Sequence, residues 1–180
     1  MALRVHAGDP SPSLEAAFRR IERERMAGLP LLNPALRVQA VDLARWHGQW
    51  LGALVTPWFL NLVLVPGDAA GWRPAADGER VFHAFGAGDF AFLGNDEPEV
   101  GEFQSCSLVS PMAGFVDQAS AATTARMALR MLHVERPAAA LMGAADAGAS
   151  GAGVGAGAGA SAGGPGRPAR RAILFGAGWR

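Results

Sequence analysis

The stretch from Trp50 to Pro66, WLGALVTPWFLNLVLVP, constrains this chain more than any other segment. It is almost wholly apolar, yet it does not read as a membrane span. A spanning helix needs about 20 mostly apolar residues in succession, and Gly52, Thr56, Pro57 and Asn61 interrupt this run. Its β-branched and aromatic residues favour strands, and proline removes a ladder hydrogen bond. The run therefore predicts two short buried strands that bend at Thr56-Pro57-Trp58.

Sheet continues on both sides. LRVQAVDLARW at 36–46 partly alternates, and HGQ after it is a turn. PGDAAGWRPAADGE at 66–79 is loop by its Gly, Pro and Asp content. VFHAF, DFAFLG and VGEFQSCSL are further strands, with Gly86 and Gly88 separating the first two as a hairpin.

Helices stand at each end. In SPSLEAAFRRIERERMAG, 11–28, Ser11 suits the cap and Pro12 the first turn. Leu14, Ala17, Phe18, Ile21 and Met26 form an apolar stripe, and Gly28 ends the helix. Pro111 is expected to open a second helix over 112–134, with Phe115, Ala122, Ala125, Leu129 and Leu132 on one face.

The fold class is thus α+β: an antiparallel-rich sheet flanked by an N-terminal helix and a second helix near 112–134, with a tethered C-terminal apolar segment. Residues 1–10 are expected to be a flexible N-terminus and 11–137 a single domain. Residues 138–168 are nearly all Ala, Gly, Ser and Pro and read as a flexible linker. Residues 169–180 contain the apolar word AILF and are expected to dock on the domain. The linker's GVGAGAGA is no dinucleotide fingerprint: no strand precedes it, and no acid follows Asp146 to hold a ribose.

Charge removes several function classes. Formal net charge is zero, which gives no general pull toward nucleic acid or anionic lipid. The chain has no lysine, which excludes a Walker-type phosphate loop, a Schiff-base enzyme and a Ser-Lys dyad. MALRVHAGDPSPS has no apolar run and is not a secretory signal. The expected location is the cytoplasm.

The candidate chemistry is sparse. Cys106 is the only cysteine. A helix N-terminus near Pro111 or a histidine could activate it as a nucleophile. Alternation along Gln104-Cys106-Leu108 instead turns it inward as a small hydrophobe. His6, His47, His83 and His133 are far apart, with no metal-binding spacing. Pro57 and Trp58 fit either a core bend or the rim of a binding surface. Asp96, Glu97, Glu99 and Glu102 form an acidic run, either a solvated loop or a docking patch for a basic peptide.

The words NPALRV at 33–38, GQWLGALVTPWFLNLVLVP at 48–66, CSLVSPM at 106–112 and RRAILFG at 170–176 complete a pattern. With them, residues 12–136 and 170–176 resemble the [NiFe]-hydrogenase assembly chaperones of the HybE/HupJ type. TPWF and CSLxSPM in this order are the specific part. The resemblance implies a small cytoplasmic accessory protein of hydrogenase maturation, without catalysis or cofactor. It would bind an immature hydrogenase subunit, small or large, before assembly and twin-arginine export. The signal itself and other maturation proteins are further candidate partners.

Thr56, Pro57, Trp58, Cys106, Ser107, Leu108, Ser110 and Pro111 carry over as motif positions, and the acidic run is the candidate reader of the signal's arginines. The Ala/Gly tether departs from the family's compact pattern. Some relatives are associated with a rubredoxin-like domain, and this chain lacks the paired cysteines for that iron site. A small thiol-dependent enzyme using Cys106 and a structural subunit of a larger complex are the rival readings.

Overall fold

A computed structural model describes residues 3–134 of the chain. The linker and the C-terminal word lie outside the described residues. The domain is α+β. Strands β1 (Gln39–Trp46), β2 (Gln49–Val55), β3 (Leu60–Val65), β4 (Arg80–Phe85), β5 (Gly88–Glu97) and β6 (Gly101–Val109) form one sheet in the order β1-β2-β3-β6-β5-β4. Every neighbouring pair is antiparallel.

The opening run becomes the β2–β3 hairpin and part of the sheet's centre. Its residues are apolar on consecutive positions because both faces are covered. Leu54, Val63 and Val65 pack on one face with Phe103 and helix α1 (Ser11–Ile21). Ala53, Val55 and Leu60 pack on the other with helix α2 (Gln118–Leu132). Ala121, Ala122 and Ala125 are buried there, and such small side chains let a helix backbone lie close to a sheet. Leu51, Leu62, Leu64, Phe92 and Leu132 extend that second core.

The sheet also curls. Trp46 at the end of β1 stacks on Phe85 at the end of β4, centroids 4.7 Å apart, although these are the two edge strands. The register shift between Val41 and Ala44, with Asp42 at φ 49°, is a β-bulge that bends the β1 edge and adds to the sheet's coiling. The β1–β2 turn is His47-Gly48, both at positive φ (46° and 81°), the geometry that lets a two-residue hairpin follow the twist.

Several expectations change. The first helix turns π-helical over Glu22–Met26 before the chain leaves it. Its cap is not Ser11: Asp9 Oδ1 accepts from Ser11 N (2.9 Å) and Oγ (2.6 Å). The segment expected to be a flexible N-terminus is tied down from residue 4. Arg4 donates to the Pro98 and Glu99 carbonyls, His6 N donates to Pro66 O (2.8 Å), and Trp50 Nε1 donates to His6 O (2.8 Å). Pro111 does not open α2. That helix starts seven residues later, where Asp117, extended at φ −158°, accepts from Ser120 N at 2.7 Å. Phe115 sits in the preceding turn, half-buried.

The long loop before β4 lies on β5 at Gly94. Gly78 N donates to Gly94 O (2.9 Å), and Gly94 N donates to Glu79 O (2.8 Å). A Cβ on Gly94 would stand 2.6 Å from the Ala75 carbonyl oxygen, a backbone atom that cannot swing away. Gly94→Ala should therefore lift this loop and cost about 1–3 kcal/mol, read as a lower urea midpoint without change in the slope.

Candidate partner-binding corner

The motif words are distant in sequence and meet at one end of the central strands. Thr56 makes the β2–β3 corner: its N donates to Phe59 O (2.9 Å), and its Oγ1 accepts from Phe59 N (2.9 Å) and Trp58 N (3.3 Å). This side-chain turn supplies the partners that the bend withholds from the backbone. Pro57 is buried, Thr56 is fully buried, and Trp58 is 6% exposed within the α1-side core. Of the two readings of Trp58, core holds.

Asn33, from NPALRV, clamps the corner together. Asn33 N donates to Pro57 O (2.8 Å), and its Nδ2 donates to the carbonyls of Met112 (3.0 Å) and Phe115 (2.8 Å). Ser110 Oγ donates to Trp58 O at 3.2 Å, closing the link between CSLVSPM and TPWF. Met112 is fully buried beneath. Within the word NPALRV, nothing local marks Asn33 as the clamp. An asparagine followed by proline signals a turn, but the carbonyls its side chain holds lie some 80 residues away.

What the corner shows to solvent is apolar. Pro34, Ser110 and Pro111 are exposed, as are Leu29 and Leu31 (36% each) beside Asn33 and Val116 (81%) beside Phe115. No charged residue occurs in 27–36, 56–59 or 110–116. Ser107 is also exposed, on the sheet face that α1 covers elsewhere. Its register partner Asn61 keeps a buried Oδ1 without a hydrogen bond.

Cys106 stands apart from the corner, on β6 opposite Leu62 and half-buried against the α2-side core. Burial alone pushes its thiol up, with no neighbour pulling it down. The helix N-terminus expected near Pro111 lies at Gln118 instead. Among the described residues no three His, Cys, Asp or Glu side chains gather to hold a metal. His83 donates from Nε2 to Gln104 Oε1 (2.7 Å), because Gln104 Nε2 is spent on Arg73 O (2.6 Å). Burial lowers the pKa of this imidazole.

The acidic run is largely occupied by the protein itself. Glu97 and Glu99 hold Arg20 of α1 at 2.6 and 2.7 Å, and Arg25 reaches Glu97 at 3.3 Å. Glu102 accepts from Trp72 Nε1 (2.9 Å) and Ala75 N (2.8 Å). Asp96 is exposed. Hydrogen bonds from Arg20 hold the Glu99 carboxyl below its ordinary range, and Arg20 is raised in turn. These carboxylates fasten α1 to the β5–β6 turn.

A six-stranded antiparallel sheet with a helix on each face brings the specific sequence words to one corner. The comparisons show which class of protein carries this arrangement. The pattern of the family described as [NiFe]-hydrogenase assembly, chaperone, HybE matches residues 9–176. Protein HoxT of Cupriavidus necator is 43% identical over 130 residues, 66% of this chain and 73% of that one. The hydrogenase expression/formation protein HupJ of Bradyrhizobium diazoefficiens is 40% identical over 119 residues, 66% and 69% of the two chains. The solution structure of HybE from Escherichia coli superposes with a TM-score of 0.61 at 26% identity, covering 87% of this chain and 96% of that one. The chain belongs to the HybE family of [NiFe]-hydrogenase assembly chaperones.

Cys106 and Glu99 each respond to change in a way this geometry sets. The raised pKa of Cys106 leaves less thiolate at neutral pH than an ordinary cysteine has, so iodoacetamide should label the native protein slowly and the unfolded one fast. Cys106→Ser should fold with a loss of about 1–3 kcal/mol, while Cys106→Arg should not fold. Glu99, held below its ordinary value, contributes stability that is fully present above about pH 5, clear of the unfolded carboxyl's range, and lost as pH falls through its depressed value. Glu99→Gln should lower the melting temperature at pH 7 and flatten its decline between about pH 5 and pH 3.

Proposed function

We propose that this chain is a non-catalytic cytoplasmic chaperone that binds an immature [NiFe]-hydrogenase subunit before assembly and twin-arginine export, and that it does so at the Asn33–Trp58–Pro111 corner. One observation carries the reading: three sequence words of the family converge there on an apolar surface with exposed Leu31, Pro34, Pro111 and Val116, and charge enters only at its edge, through Arg37 and Asp117. Such a surface suits an apolar segment that the mature partner will bury and the immature one still exposes. Thr56, Pro57 and Trp58 serve this surface from beneath, as its frame. Ser107, Ser110 and Pro111 serve it from outside.

Arginines of an export signal that sought Glu97 and Glu99 would compete with Arg20 and Arg25, which already hold them. The proposal therefore gives the corner the task of recognition. The acidic run keeps that of holding α1, with Asp96 alone open to a basic partner. No described helix is long and apolar enough to cross a membrane.

The test compares two variants by calorimetric binding to separately purified small- and large-subunit precursors. Leu31→Asp combined with Val116→Asp should weaken binding at least about ten-fold with an unchanged melting temperature, since both positions are exposed. Wild-type affinity should change little between about 50 and 500 mM salt, because the contact is mainly apolar and its two edge charges, Arg37 and Asp117, are of opposite sign. Asp96→Asn should bind normally at low salt. Wild-type affinity in the double corner variant sinks the assignment of the corner, and failure of both precursors to bind wild type sinks the precursor reading itself.

A further inference from the structure

The outer face of α2 carries a second apolar surface, away from the corner. Met127 and Met131 stand four residues apart and Val134 comes three residues later, so they line one side of the helix and its end. Met127 is 61% exposed, Met131 55% and Val134 52%. At 1.5 Å per residue the stripe runs about 10 Å, two turns. Thr123, exposed one turn before Met127, continues the same side with a small uncharged residue. The helix's inner face is already complete, with Ala121, Ala122, Ala125 and Leu132 buried, so among the described residues the methionines add nothing to the core.

Charge on this helix is one-sided. Residues 118–132 include Arg126 and Arg130 and no acid. Arg126 reaches Asp42 at 3.4 Å, an ion pair about half exposed on both sides, and Arg130 makes no ion pair among the described residues. An arginine in the last turn favours the helix dipole. That accounts for a cation there and leaves the methionine stripe beside it unexplained.

We propose that the outer face of α2 is a second docking surface, and that it takes an amphipathic helix of a protein partner bearing an apolar stripe flanked by carboxylates. Methionine's flexible thioether fits helix-in-groove contacts of this kind, and Arg130, unpaired among the described residues, sets the sign of the partner's flank with Arg126 beside it. A second copy of the chain is the wrong occupant. Pairing α2 with itself sets arginines against arginines with no acid on either helix. An anionic membrane is also the wrong occupant, since insertion uses a broad apolar face with Trp, Phe or Leu and several basic residues around it. The surface is independent of the corner and differs from it in kind, since its binding is charge-selective.

The test uses full-length protein labelled at its methionine methyls and observed by NMR. The probes are two designed helical peptides with the same leucine stripe, one flanked by Glu and one by Arg. The Glu peptide should shift the Met127 and Met131 methyls, leave buried Met26 and Met112 in place, and bind at least about ten-fold tighter than the Arg peptide, with affinity falling as salt rises. Arg130→Glu should reverse the preference. Met127→Gln with Met131→Gln should abolish binding at an unchanged melting temperature. Equal affinity for the two peptides, binding that survives the double glutamine variant, methyl shifts that follow protein concentration alone, or shifts produced by phosphatidylglycerol vesicles and not by the Glu peptide would each overturn the proposal.

Discussion

The β2–β3 hairpin is buried on both faces, and the rest of the domain follows from that. Leu51 and Leu54 point to opposite sides of the sheet and are 4% and 0% exposed; Val63 and Leu64 do the same at 1% each. A hairpin of this composition has no solvated face to offer. It requires α1 over one side and α2 over the other, and it requires neighbours on both edges, which β1 and β6 provide. Each buried aliphatic side chain is worth about 1.5–3 kcal/mol in removal from water. That gain offsets the ordering of two helices that would be marginal alone.

The same hairpin fixes where the corner stands. Its bend must satisfy backbone groups at the sheet's end, and Thr56 does so with its own hydroxyl. The carbonyls of Pro57 and Trp58 are then left facing outward from the turn. Asn33 and Ser110 take them, and in doing so bring two loops from opposite halves of the chain to one place. Packing holds the floor of this corner through Trp58 and Met112. Hydrogen bonds hold its roof. The apolar side chains left outside, Leu31 and Val116 among them, are the ones the fold had no room to bury.

Ion pairs divide the surface into structural and available charge. Arg20, Glu97 and Glu99 form a compact cluster that locks α1 against the β5–β6 turn. Arg130 belongs to no such cluster among the described residues. Composition shows nothing of this division, because a net charge of zero says nothing about which charges are spent within the fold.

The elements with strong local periodicity were legible directly. The TPW bend, the helix beginning at Ser11, the His47-Gly48 turn and the six strand segments all follow from spacing and turn chemistry, which act over a few residues. The family was legible from four short words. The N-terminal segment was not, because its order comes from partners at Pro66, Val100 and Glu99 rather than from its own sequence. The start of α2 was misplaced because Pro111 and Asp117 are both acceptable helix openers locally, and only the path from the end of β6 decides between them. The acidic run looked free because its cations lie some 75 residues upstream.

The sequence by itself determined that this chain folds as α+β around an apolar hairpin and belongs to the HybE chaperones, since both rest on local pattern. Tertiary structure alone decided that Trp58 is core, that Cys106 is an unactivated, half-buried thiol, that Glu97 and Glu99 are occupied, and that Asn33 joins three distant words into one surface. Those outcomes depend on which side chains meet in space, and a hydrogen bond or an ion pair is blind to how far apart its partners stand along the chain.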